Sequence, residues 1–84
     1  MNGNQKFIAK LNKKEKDRVL NTIVLILAGN TSILDVKKLK GSDYFFRVRI
    51  GKKRIIYSER EGIRIITFVG TRDEKTYKSF KSLL

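Results

Sequence analysis

From Tyr44 to Val69, apolar and polar residues alternate in runs broken by two glycine-bearing turns, and this pattern restricts the fold more than any other feature of the chain. Successive side chains of a strand point to opposite faces of a sheet, so Phe46, Val48 and Ile50 take one face and Phe45, Arg47 and Arg49 the other. Lys53 to Ser58 and Ile63 to Val69 follow at hairpin spacing, and three antiparallel strands are expected. With Gly51-Lys52 as a two-residue turn, Ile50 pairs with Lys53, Arg49 with Arg54, Val48 with Ile55 and Phe46 with Tyr57. One face of this hairpin is then mostly apolar, and the other carries Arg47, Arg49 and Arg54. Like charges directly opposite each other cost roughly a few tenths of a kcal/mol or more. Stability alone does not ask for that arrangement, so it points to a polyanionic partner.

The second hairpin allows two registers. A three-residue loop, Arg60-Glu61-Gly62, pairs Glu59 with Ile63 and aims Ile66, Phe68, Gly70 and Arg72 at the arginine face. A two-residue Glu61-Gly62 turn sends Arg72 to the other face. The first is preferred because it gathers the cations, and in it Gly70 leaves space beside them, with Tyr77 following shortly.

The first part of the chain reads as helix. Asn12 caps a helix whose third residue is Glu15, and Gly29-Asn30 supplies its stop. Between them Val19, Leu20, Ile23, Val24, Leu27 and Ala28 recur at helical steps as a packing face, with Lys14, Asp17, Arg18 and Asn21 toward water. Phe7, Ile8 and Leu11 mark a shorter helix upstream, making an antiparallel helical hairpin. Tyr77, Phe80 and Leu84 mark a short C-terminal helix over 73–84. The expectation is therefore one α+β domain, residues 1–84, with the helical hairpin packed on a three-stranded antiparallel sheet.

Composition narrows the function. Twenty Lys+Arg against eight Asp+Glu give a formal charge of +12, which suits nucleic acid, an acidic protein or a membrane surface. Zero histidine and zero cysteine remove the commonest general base, the commonest metal ligands and any disulfide; no metal or cofactor is expected. No apolar run reaches the ~20 residues that span a bilayer, and a cytoplasmic protein is expected. Lys37, Lys38 and Lys40 before Gly41 read as a basic loop able to touch backbone phosphate, as do Lys52 and Lys53 at the first turn.

Taken in order, "VKKLKG", "YFFRVRIGKKRIIYSE" and "IITFVGTRDEKTY" resemble the RelE/ParE superfamily of toxins, over about Lys13 to Tyr77. The resemblance implies the toxin of a toxin-antitoxin pair. In the RelE branch that is an endoribonuclease cutting messenger RNA on the ribosome, with a cognate acidic antitoxin as second partner. It assigns the catalytic positions to Arg47, Arg49, Arg54, Arg72 and Tyr77, and leaves Lys37, Lys38, Lys40, Lys52 and Lys53 for RNA binding. Two departures stand out. The strand that usually opens the family's fold is missing or very short here, and Arg47 and Arg49 stand where the best-known RelE pattern has lysines. Attack of a ribose 2′-hydroxyl on its neighbouring phosphate needs a proton acceptor, and arginine, with a pKa above ~12, cannot be one. Tyr77, its phenolate favoured by Arg54 and Arg72, is the first choice, and Lys52 or Lys53 the fallback; the remaining alternative is little base catalysis at all, with the ribosome orienting the substrate and the arginines stabilising the transition state. A ParE-like toxin acting on DNA gyrase and a non-catalytic nucleic-acid-binding module are the alternatives.

Overall fold

The structure, a computed structural model, describes residues 3–71. Two helices, α1 (Gly3–Ala9) and α2 (Lys13–Leu27), precede four strands, β1 (Asp35–Lys38), β2 (Phe45–Ile50), β3 (Lys53–Arg60) and β4 (Ile63–Thr71), in one antiparallel sheet of order β1-β2-β3-β4. The three-stranded expectation is thus corrected to four. The added strand, Asp-Val-Lys-Lys, is too short to show alternation. Of its residues only Val36, opposite Val48, packs against the core, and the segment is a strand because β2 offers it a ladder. Arg72, Tyr77 and the helix expected over 73–84 lie outside the described residues.

Local signals set the ends of α2. The Asn12 side chain accepts the Glu15 N–H at 2.8 Å. At the other end Gly29, at φ 81°, and Asn30 donate back to Ile26 and Leu25, which satisfies carbonyls that would otherwise be orphaned. The face that α2 packs differs from the expected one. Val19, Thr22 and Ile26 are buried and Ile23 packs beside them, whereas Leu20, Val24 and Leu27 are 43%, 63% and 50% exposed. Thr22 is tolerated inside because its hydroxyl donates to the Arg18 carbonyl at 2.8 Å. Between Val19 and Leu34 the chain has no charge, so α2 carries more apolar surface than one sheet face can cover.

The core lies between α2 and the helix-facing side of the sheet, where Val19 and Ile26 meet Val48, Ile50, Ile55, Tyr57 and Val69. Phe46 and Tyr57, opposite each other on β2 and β3, stack with centroids 5.3 Å apart. Leu39 is buried, and Lys40-Gly41 form the centre of a turn closed by the Ser42 N–H to the Leu39 carbonyl at 3.2 Å. Gly41 sits at φ 84°, which the third position of a type II turn requires.

The β3–β4 turn is two residues long, Glu61 at φ 52° and Gly62 at φ 79°, pairing Arg60 with Ile63 instead of Glu59 with Ile63. A bulge then restores the parity that this turn removes. Tyr57 pairs with Ile66 but Ile56 pairs with Phe68, which leaves Thr67 as the extra residue. Ile66 therefore joins the core, and Phe68 and Gly70 reach the arginine face as a three-residue loop would have placed them. The Thr67 hydroxyl donates to the Ile56 carbonyl at 3.0 Å. Along the outer edge of β4, the Asn4 side chain of α1 accepts from the Val69 N–H at 2.9 Å and donates to the Thr67 carbonyl at 3.4 Å. Its amide occupies the place a neighbouring strand's backbone would take.

Candidate nucleic-acid interface

The strand pairings set out the sheet face away from α2, the arginine face, as successive rows. One row is Asp35, Arg49, Arg54 and Gly70; the next is Lys37, Arg47, Ile56 and Phe68; the third is Phe45, Ser58 and Ile65. Directly opposed residues hold their Cβ atoms ~5 Å apart, and consecutive rows are two residues, roughly 7 Å, apart along a strand. Arg47, Arg49, Arg54 and Lys37 thus form one cationic area with Asp35 at its border. The β2–β3 register is the one the turn predicts, so Arg49 and Arg54 do face each other.

Two features show how this area is built. Ile56, between Arg47 and Phe68 in its row, is fully buried, and Arg47 Nη1 is also buried, with no hydrogen bond among the described residues. A buried guanidinium N–H without an acceptor is costly, and an anion's oxygen is the natural partner. The space expected beside Gly70 is occupied: a Cβ there would lie 2.5 Å from Phe68 Cζ, so the glycine accommodates the Phe68 ring.

The other basic residues divide. Lys37 joins the arginine face from β1 rather than a loop. Lys38 points to the opposite side, 3.7 Å from Asp43, and Lys40 is exposed in the turn before Ser42. Lys52 is exposed at the β2–β3 turn. Lys53 turns to the helices, where its ammonium pairs with Glu15 and holds that carboxyl below its usual range, aided by the Asn12 contact. Lys53 is therefore not on the arginine face and does not serve there as the fallback base. Arg64, also on the helix side, pairs with Glu59 at 2.9 Å. Burial, and then Glu59, raises the Tyr57 pKa, which keeps this core phenol protonated. Arg72 and Tyr77 lie outside the described residues.

The sequence reading missed one pair at the lower end of the sheet: the Arg60 guanidinium lies over the Tyr44 ring, 4.4 Å from its centroid. Hairpin register offered a signal, since Tyr44 immediately precedes β2 and Arg60 ends β3.

No protein-family profile and no curated protein matches the chain. Among solved structures, a chain in the crystal structure of the RelB-RelE antitoxin-toxin complex from Methanococcus jannaschii is similar, with a TM-score of 0.71 and 23% identity over 89% of each chain. The two chains share a fold. Among the described residues no three His, Cys, Asp or Glu side chains gather to hold a metal ion, and no helix is long and apolar enough to cross a membrane.

Proposed function

We propose that this chain is the toxin of a toxin-antitoxin pair and inhibits translation by cutting messenger RNA on the ribosome. The observation that carries the reading is the contiguous cationic area of Lys37, Arg47, Arg49 and Arg54 on the sheet face away from α2. The shared fold with a chain of an antitoxin-toxin complex supports the same reading.

In the proposed reaction the ribose 2′-oxygen attacks the adjacent phosphorus while the bond to the 5′-oxygen breaks, giving a 2′,3′-cyclic phosphate and a 5′-hydroxyl end. The arginines stabilise the charge that builds on the phosphoryl oxygens. They cannot take the 2′-proton; that role is assigned to the Tyr77 phenolate, and the leaving 5′-oxygen takes its proton from water. The ribosome supplies substrate orientation. Lys40 and Lys52 contact flanking phosphates.

The second partner is an acidic antitoxin. The exposed Leu20, Val24 and Leu27 of α2 give an amphipathic segment apolar surface to bury, and the cations give its acidic residues something to neutralise. The deciding experiment maps messenger RNA ends by primer extension after incubating programmed ribosomes with the purified chain. New 5′ ends should appear with the wild type and vanish with Arg54→Ala. RNA binding without any new ends would leave a non-catalytic binding module, and DNA breaks on induction would indicate a gyrase-directed toxin.

A further inference from the structure

The proposed chemistry makes no use of Tyr44 or Arg60. Tyr44 is held on both sides: its carbonyl accepts the Glu59 N–H at 2.9 Å, and its N–H donates to Ser42 Oγ at 3.2 Å. The residue remains 43% exposed, and the guanidinium of Arg60, itself an exposed residue, lies over its ring. Beside Arg60 in the ladder, Ile63 and Ile65 are 64% and 56% exposed. An exposed cation–π pair adds little to stability, and open isoleucines add nothing to it. Together they put exposed aromatic, cationic and apolar groups at one end of the same sheet that carries the arginines.

We propose that the Tyr44–Arg60 pair is a base-stacking platform for single-stranded RNA whose phosphates lie on Arg47, Arg49 and Arg54. This rests on the reading of the arginine face as an RNA surface. A nucleobase presents a broad π-face that stacks on aromatic rings and guanidinium planes whatever its identity. An RNA strand is therefore the occupant that uses both ends of the face, its phosphates matching the cations and its base matching the platform. Arg54 and Arg60 project from β3 on one side, six residues apart, a separation of roughly 20 Å. That length corresponds to about six nucleotides at the stacked rise of ~3.4 Å, and fewer if the strand is drawn out. The platform thus engages a nucleotide several positions from the phosphate held at Arg49 and Arg54.

The test uses fluorescence anisotropy with unstructured RNA oligonucleotides of three and eight nucleotides. Tyr44→Ala should weaken octanucleotide binding about 5- to 100-fold, leave the trinucleotide unchanged, and leave the slope of log affinity against log salt unchanged. Tyr44→Phe should bind as the wild type, which separates stacking from any role of the hydroxyl, and equal melting temperatures show that the fold is intact. Wild-type octanucleotide binding by Tyr44→Ala, with binding still lost in Arg49→Ala, overturns the platform and leaves the RNA face standing. Unchanged RNA binding in Arg47→Ala, Arg49→Ala and Arg54→Ala overturns both.

Discussion

The opposed pair Arg49 and Arg54 allows the central claim, that the arginine face is arranged for a ligand at some expense to stability, to be measured. With Cβ atoms ~5 Å apart, the guanidinium charges are taken as about 6 Å apart. Coulomb's law then gives roughly 0.7 kcal/mol of repulsion at the dielectric constant of water and about 2.8 kcal/mol at an effective value near 20. Screening over a Debye length of ~8 Å in physiological salt halves the first figure. Arg49 is exposed and Arg54 half-buried, so solvent dominates and an unfavourable coupling of about 0.3–1 kcal/mol is expected. Single substitutions would not isolate it, because Asp35 faces Arg49 from β1 and its attraction offsets the repulsion from β3. A double-mutant cycle does. Urea unfolding of wild type, Arg49→Thr, Arg54→Thr and the double variant should give a coupling of unfavourable sign that falls toward zero in 1 M salt, where the Debye length is ~3 Å. In parallel, each single variant should lower the magnitude of the salt slope for RNA binding by about 0.7. A favourable coupling at low salt, or an unaltered salt slope, would refute the reasoning.

Gly29→Ala places a Cβ at φ 81° and 3.1 Å from Arg64 Nη2, which should cost about 1–2 kcal/mol and lower the melting temperature by roughly 4–16 °C; an unchanged melt would contradict this account of the α2 terminus. Asn4→Ala removes both contacts on the β4 edge, with an expected loss of about 1–2 kcal/mol and faster hydrogen exchange at the Val69 amide than at amides of β2. Because Lys53 depresses the folded-state Glu15 pKa, this pair's contribution is complete above about 4.5, the carboxyl's ordinary value, and is lost as pH falls through the lower folded value. Lys53→Met should therefore show a smaller drop in urea midpoint between pH 7 and pH 3 than the wild type, and an equal drop would rule out the linkage.

What the sequence determined by itself is what short-range geometry controls. A capping side chain three residues from its donor, a glycine that can adopt positive φ after the last helical turn, and a two-residue turn that aligns β2 with β3 are all set within a few residues. The opposition of Arg49 and Arg54 follows from that last turn. Tertiary structure decided what depends on partners distant in the chain. Asp35–Lys38 is a strand because β2 pairs with it, and its own four residues carry too little pattern to announce it. Glu61 is an unusual residue at positive φ, so the second turn invited the wrong loop length, and the bulge at Thr67 compensated in a way no local rule announces. The helix α2 has apolar residues on more than one side, and only the shape of the sheet selected Val19, Thr22 and Ile26 over Leu20, Val24 and Leu27. The space at Gly70 and the Tyr44–Arg60 stack likewise depend on where Phe68 and Arg60 direct their side chains once the strands are assembled. Alternation assigns a residue to a face, but packing decides what it touches there.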